Sequence, residues 1–103
     1  MALATLTQAQ SGHCLIEGAM SFASVAQLLE DSADYLLPNS ALLFDLQGVD
    51  HADSAGVALL VEWLRLARER QVKIEFRNIP AQMLAIIEVS DLQQRLPIVN
   101  GGA

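Results

Sequence analysis

The chain has 103 residues, a length that predicts one domain with its own hydrophobic core. Hydrophobic residues make up 52% of it and charged residues 17%, which excludes a disordered segment. The net charge is −6 and no Lys or Arg precedes Arg65. We therefore expect neither a nucleic-acid-binding protein, which needs clustered cations, nor a secretion signal, which needs a positively charged start.

The first predicted elements are two strands joined as a hairpin. Residues 13–17 form an extended run that ends at Gly18, and residues 3–7 are expected to pair with it across residues 8–12. The single cysteine, Cys14, falls in this run and can form no internal disulfide. We interpret it as a buried thiol rather than a reactive one.

A first helix is predicted after the hairpin. Ser24 has a side chain suited to capping a helix N-terminus, and the helix is expected to run for about three turns and to end at Pro38. Its inward face is expected to consist of the aliphatic residues that recur at helical spacing, Val25, Leu28, Leu29 and Leu36.

The central strand is predicted at residues 41–46. Its first four residues are all apolar, a pattern typical of a strand covered on both faces. Residues 45–56 are expected to lead as a loop into a second helix over residues 54–70. Residues 72–77 then alternate between apolar and polar side chains, which predicts a strand with one wet face. This strand, helix and strand form a crossover within a mixed sheet.

A third helix is predicted to begin at Pro80 and to turn Leu84, Ile87 and Leu92 inward. Residues 96–99 are expected to add a short last segment, and residues 100–103 to be a frayed tail. The fold class is therefore α/β, a single domain over residues 1–103 with a small mixed sheet of about four or five strands. No apolar run approaches the roughly 20 residues of a membrane-spanning helix, so no span is expected.

The second helix has an unusually wide apolar face. At 100° per residue, the predicted core stripe consists of Val57, Leu60, Val61, Leu64 and Ala67, and the water-facing side of Ala58, Glu62, Arg65 and Glu69. Leu59, Trp63 and Leu66 widen the apolar arc to about 220°, more than packing on one sheet requires. Two interpretations stay open: the first or third helix covers the excess, or a partner protein does, with Trp63 as its anchor.

The start of this helix contains the candidate functional residues. In the structural interpretation, Asp53 or Ser54 caps the helix. In the functional one, the Ser54 hydroxyl stands at a helix N-terminus, where free amides would stabilise a phosphate, and Gly56 lets another chain approach closely. His51 is three residues away, but no Gly-x-Ser-x-Gly motif accompanies it. We therefore expect that the protein is not an enzyme and that it binds no metal and no cofactor.

Residues 43–50 (LFDLQGVD) and 53–60 (DSAGVALL) resemble the signature of the STAS domain, the fold of anti-sigma-factor antagonists and of sulfate transporter tails. The order of segments also fits, so the resemblance covers essentially the whole chain. It implies a STAS fold with helices mainly on one face of the sheet. In that family a Ser or Thr that follows an Asp at the start of the second helix is the phosphorylation or partner-contact site, which implies Ser54 here.

Two groups within the family matter. Antagonists that bind anti-sigma kinases usually have a second Ser before the Gly and a Gly two places after it, where this chain has Ala55 and Ala58. The Gly-Val-Ala-Leu-Leu and Leu-Arg-Leu-Ala-Arg runs are instead similar to the MlaB-type STAS subunit of the Mla phospholipid transporter, which often has Thr at the position of Ser54. That subunit sits on the cytoplasmic ATPase of an inner-membrane ABC complex that maintains outer-membrane lipid asymmetry.

The resemblance implies a non-enzymatic cytoplasmic subunit, peripheral to the inner membrane, that binds the ATPase of such a complex, with its permease indirectly, and supports its assembly and activity. The implied contact or regulatory residues are Ser54, Asp53, Ala55, Gly56, Leu59 and Trp63. The alternative is an anti-sigma-factor antagonist regulated by phosphorylation of Ser54. A carrier of hydrophobic small molecules is disfavoured, because a domain of this size has little volume left for a pocket.

Overall fold

The computed structural model describes residues 2–99. Within them, five strands and three helices follow in the order β1 (Thr5–Gln10), β2 (His13–Met20), α1 (Val25–Ser32), β3 (Ala41–Ala52), α2 (Ser54–Arg70), β4 (Lys73–Arg77), α3 (Ala81–Val89) and β5 (Ile98–Val99). A short 3₁₀ turn, Ala33–Tyr35, follows α1. The tail predicted at residues 100–103 lies outside the described residues.

The five strands form one mixed sheet in the order β1-β2-β3-β4-β5. β1 is antiparallel to β2, and the other neighbouring strands are parallel. Each parallel connection contains one helix and moves one strand further in the same direction. Since such crossovers are right-handed, α1, α2 and α3 all lie on one face of the sheet. The α/β fold class and the expected placement of the helices are confirmed.

The core fills the space between the helices and this face of the sheet. The side chains of Phe44 on β3, Trp63 on α2 and Phe76 on β4 are fully buried there. The ring centroids of Phe44 and Trp63 are 4.1 Å apart, and those of Phe44 and Phe76 are 5.9 Å apart. Stacked aromatic rings stabilise a core beyond the area that they bury. Leu43, on the helix-free face, is only half-buried, so the prediction that the central strand is covered on both faces is wrong.

Cys14 on β2 is fully buried, as predicted. Burial disfavours the charged thiolate and raises the pKa of the Cys14 thiol to about 11. The hairpin of β1 and β2 is confirmed too, although β1 begins later than predicted and the turn lies at Ser11 and Gly12. Gly12 has a φ of +76°, a backbone conformation that glycine adopts without steric cost.

The prediction of a long loop between the central strand and the second helix is wrong. β3 continues to Ala52 because β2 continues to Met20 and pairs with it up to that residue. Val49 and Ala52 in this extension are buried and add to the core. Only Asp53 separates β3 from α2, so the start of the helix is fixed directly to the sheet.

The first helix is shorter than predicted, because α1 ends at Ser32. Ser24 occupies the N-cap position, but its side chain makes no capping hydrogen bond. Its hydroxyl is buried and instead donates to the carbonyl oxygen of Ala19 over 2.8 Å. The predicted cap is therefore wrong, and the serine ties the start of α1 to the end of β2.

The inward face of the third helix also differs from the prediction. Met83 and Ile87, one turn apart, are buried, whereas Leu84 is 44% exposed. Leu92 is half-buried but lies beyond the end of α3 at Val89. α3 carries apolar residues around most of its circumference, but only the stripe that meets the sheet and α2 is buried.

The core stripe of the second helix was displaced in the prediction by about 60° around the helix axis. Trp63 and Leu59 are buried, whereas Val61 is 41% exposed and Leu64 is half-buried. α2 lies between α1 and α3 and packs with its Trp63 ring on Phe44. Leu59 and Trp63 are thus covered from within the domain, which decides the open question for these two residues, whereas the opposite edge of the apolar arc, at Val61, stays partly open.

Candidate functional site

Asp53 caps α2. Its backbone is extended, and its Oδ1 accepts a hydrogen bond from the amide of Ala55 over 2.9 Å. The carboxylate therefore satisfies a free amide and places negative charge at the positive end of the helix dipole. This confirms the capping interpretation and assigns it to Asp53 rather than Ser54.

Ser54 is the first helical residue, and its side chain is exposed. Within residues 2–99 its hydroxyl makes no hydrogen bond. The hydroxyl is consequently available to a partner or to a modifying enzyme, and a phosphate on it would stand at the helix N-terminus.

Two elements, α3 and β2, hold this helix start in place. The amide of Ala52 donates to Oε1 of Gln82 on α3 over 2.9 Å, and the amide of Asp53 donates to the carbonyl oxygen of Met20 on β2 over 3.3 Å. The position of Ser54 is therefore set by the sheet and by α3, and not by a mobile loop.

Gly56 permits a close approach within the domain itself. A Cβ atom on this buried residue would lie 3.3 Å from the carbonyl oxygen of Met20 and 3.4 Å from Cε of Met83. The expectation that Gly56 lets another chain approach is thus wrong, because its free side faces the protein interior.

An apolar groove runs from Ser54 along the line where α1 meets α2, and we call it the α1–α2 groove. Its volume is about 430 Å³. Its lining residues are Phe22, Val25, Ala26, Leu29, Ser54, Ala55, Ala58, Leu59 and Glu62. The small side chains of Ala26, Ala55 and Ala58 leave the space between the two helices open.

The predicted contact residues differ in whether they line this groove. Ala55 lines it and is half-buried, and Leu59 lies at its floor with 4% exposure. Trp63 is fully buried and is hydrogen-bonded within the domain. Its predicted role as an exposed anchor is wrong, because its ring completes the aromatic core.

Sequence reasoning missed Phe22, whose side chain is 87% exposed at one end of the groove. The available signal was an aromatic residue in a short polar segment just before a helix, where no core position was predicted. Val25 and Leu29 were predicted as core residues, but both are half-buried and line the groove. The structure thus joins Ser54 to an exposed aromatic ring across a small apolar surface.

Other polar residues of the signature lie elsewhere. Asp45 is part of β3 and lies on the helix-free face, where its Oδ1 accepts from Nδ2 of Asn78 over 2.9 Å. It is seven residues before Ala52 on the strand, about 23 Å away. His51 is half-buried on the same strand. In the part of the chain that is described, no group of three His, Cys, Asp or Glu side chains could hold a metal.

Comparison with models of known protein families gave a match over nearly the whole chain. The family model described as "Mlab, STAS domain" matches residues 4–100. A comparison with curated protein sequences gave no match. No helix of the described residues is long and apolar enough to cross a membrane.

Solved structures with the same fold include two anti-sigma-factor antagonists and an anion transporter. An anti-sigma-factor antagonist (STAS) domain protein from Planctomyces limnophilus has a TM-score of 0.73 at 16% identity, with 99% of this chain and 92% of that chain covered. The anti-sigma factor antagonist SpoIIAA in its unphosphorylated form has a TM-score of 0.70 at 13% identity, with coverages of 95% and 87%. The murine anion transporter Slc26a9 has a TM-score of 0.67 at 20% identity, with coverages of 92% and 17%.

Proposed function

We infer the function of this chain from its family. The chain belongs to the STAS domain family, because the MlaB model of that family matches residues 4–100. STAS domains are in general regulatory or accessory modules rather than enzymes. We propose that this chain is a non-enzymatic accessory subunit of an inner-membrane ABC complex that transports phospholipids. In this role it binds the cytoplasmic ATPase, supports its assembly and activity, and is held at the membrane through that partner.

The observation that carries the proposal is the exposed Ser54 hydroxyl at the mouth of the α1–α2 groove. Interfaces are centred on apolar and aromatic side chains that become desolvated on binding. The Phe22 side chain, 87% exposed beside the groove, supplies such an aromatic group. A partner that covers the groove would bury Phe22 and contact Ser54 together.

Charge at Ser54 should oppose this contact. A phosphate would add about −1.5 to −2 charges next to the carboxylate of Asp53. In a desolvated interface, that charge would be unpaired unless the partner offered a cation. Replacement of Ser54 by Thr adds a methyl group but no charge. It keeps the hydroxyl, and Thr is the residue that MlaB-type subunits often have at this position. We therefore expect Ser54→Thr to bind, and Ser54→Arg to fail.

The test is binding of the purified chain to the purified ATPase by isothermal titration calorimetry. The variants are Ser54→Thr, Ser54→Arg and, as a matched control, Ser90→Arg at an exposed serine just after α3. We expect native affinity for Ser54→Thr and Ser90→Arg, and a loss of at least about ten-fold for Ser54→Arg. Equal affinity of all four proteins would exclude Ser54 from the contact.

A second experiment separates the alternative function. The tagged native chain is used to retain partners from solubilised inner membrane and from the soluble fraction of the source cells. Recovery of an ABC ATPase with its permease supports the transporter role. Recovery of an anti-sigma kinase, with phosphate on Ser54, would assign the chain to transcriptional control instead.

A further inference from the structure

A second groove lies on the other side of α2, between its C-terminal half and the turn that joins α3 to β5. We call it the α2–turn groove, and its volume is about 470 Å³. Its apolar wall consists of Val61, Leu64, Leu92 and Leu96. Val61 is 41% exposed, whereas Leu96 is buried and forms the floor. The apolar surface is therefore open to a ligand and also joined to the core.

The rim of this groove is basic although the chain is acidic. Arg65, Arg68 and Arg95 line it, half of the six Lys and Arg residues in a chain of net charge −6. Arg65 is already engaged, since its guanidinium contacts the carboxylates of Glu62 and Glu69 at 2.7 and 3.0 Å. Among residues 2–99, no carboxylate lies within ion-pairing distance of Arg68 or Arg95. Two guanidinium groups are thus left for a ligand.

The frame of the groove is well defined. Arg68 and Val61 lie two turns apart on the 17-residue helix α2. On the opposite wall, the amides of Arg95 and Leu96 donate to the carbonyl oxygen of Leu92 over 2.9 and 3.1 Å. Both arginines are therefore carried by hydrogen-bonded backbone, which lowers the entropic cost of placing a ligand between them.

We propose that the α2–turn groove binds a short acidic segment of a partner protein, which inserts apolar side chains against Val61 and Leu64 and pairs carboxylates with Arg68 and Arg95. Guanidinium groups bind carboxylates through two parallel hydrogen bonds, which fixes the orientation of such a segment. The apolar wall supplies the area that an exposed ion pair alone lacks.

An anionic membrane surface is the less suitable occupant. Recognition of acidic lipids usually requires about 4–8 clustered Lys or Arg residues on a flat or helical surface. Here only two unpaired cations line the groove, fewer than an acidic membrane surface requires, and the groove is concave whereas a bilayer is flat. A single extended or helical segment fits this geometry better.

This surface is distinct from the α1–α2 groove and can engage a second region of the same partner or another protein. The test replaces Val61, which is partly exposed, with a photoreactive benzoyl-phenylalanine in the full chain in its source cells. The same replacement at the exposed Lys73 on β4 is the control. Mass spectrometry then identifies the residues to which position 61 is cross-linked.

We expect one segment that carries at least two Asp or Glu side chains within a few residues. A synthetic peptide of that segment should bind the native chain in solution. Its affinity should fall at least about ten-fold in the Arg68→Glu, Arg95→Glu double variant, or when its carboxylates are replaced by amides, and remain unchanged in Lys73→Glu. Thermal unfolding of each variant shows that the fold is retained.

Three results would overturn the proposal: no cross-linked protein segment, a segment without carboxylates, or a peptide whose affinity ignores both arginines. Flotation with phosphatidylglycerol vesicles tests the membrane alternative. Binding to the vesicles that requires Arg68 and Arg95 would assign the groove to a membrane surface. Ser54→Arg should leave the affinity for the synthetic peptide unchanged, whichever protein the segment comes from, because Ser54 lines the α1–α2 groove and not this one. A failure at this groove is thereby distinguished from a failure at the α1–α2 groove.

Discussion

The indole Nε1 of Trp63 on α2 donates a hydrogen bond to Oγ of Ser32, the last residue of α1, over 2.8 Å. Both side chains are fully buried, and the Ser32 hydroxyl in turn donates to the carbonyl oxygen of Leu29 over 2.7 Å. A buried indole N–H needs such a partner. This bond fixes the rotation of α2 relative to α1, and so shapes the α1–α2 groove that the two helices form.

Removal of this acceptor should destabilise the fold. Ser32→Ala leaves the Trp63 N–H buried without its partner, which costs about 1–3 kcal/mol of unfolding free energy. Ser11→Ala, at an exposed turn position, is the control and should change stability by less than about 0.5 kcal/mol. Urea denaturation followed by the fluorescence of Trp63, the single tryptophan, measures both. An unchanged midpoint for Ser32→Ala would contradict the role of the bond.

Asp53 should contribute to the stability of the fold, whereas Ser54 should not. Asp53→Ala removes the capping carboxylate of α2 and should lower the unfolding free energy by about 0.5–2 kcal/mol. Ser54→Ala removes an exposed hydroxyl and should change it by less than about 0.5 kcal/mol. Chemical denaturation of the two variants is the measurement. Equal losses would mean that Ser54, rather than Asp53 alone, supports the helix start.

Phe22 should matter for binding and not for folding. Its side chain is 87% exposed, so Phe22→Ala is expected to leave the unfolding free energy within about 0.5 kcal/mol of native. The affinity of the Phe22→Ala variant for the proposed ATPase partner should fall at least about ten-fold, the effect of losing an aromatic anchor. Val89→Ala is the matched control, because Val89 is 89% exposed at the end of α3, away from the groove. Native affinity for Phe22→Ala would place the contact elsewhere.

Cys14 should give the fold a dependence on alkaline pH. Burial raises the pKa of this thiol from its ordinary value of 9.0 to about 11, so above pH 9 the unfolded chain loses this proton more readily than the folded one. The unfolding free energy should therefore fall as the pH rises from 9 towards 11, and Cys14 should contribute no pH dependence below that range.

Comparison of the native chain with Cys14→Ala isolates this contribution from that of other groups. The difference in unfolding free energy between the two proteins should change over the same pH range. At pH 8 the native thiol should also react with iodoacetamide much more slowly than free cysteine does. A difference that stays constant from pH 8 to 11 would show that the thiol is not desolvated in the folded chain.

Much of the architecture follows from local patterns. Alternation predicted β4, and helical spacing after a cap at Asp53 or Ser54 predicted a helix over residues 54–70, the bounds that α2 has. The position of Ser54 at a helix N-terminus, together with the resemblance to the STAS signature, also predicted the helix start as the candidate site. These features depend on residues that are near one another in the sequence, and such interactions are readable without the fold.

The rotation of α2 and the length of β3 were decided by the tertiary structure. A helical wheel showed an apolar arc of about 220° but not which part of it meets the core. That choice depends on Phe44 and Ser32, which lie far from Trp63 in the sequence and hold its ring by stacking and by a hydrogen bond. Similarly, residues 47–52 read as a loop until β2 supplied their hydrogen-bonding partners.

The sequence by itself thus determined the class of fold, the family, the buried Cys14 and the start of a helix at Ser54. Only the tertiary structure decided that Trp63 belongs to the core and that Phe22 stands in the open beside Ser54. The physical reason is that apolar side chains are interchangeable in a local pattern. Which of them are buried depends on the shape of the surfaces that pack against them, and those surfaces come from distant parts of the chain.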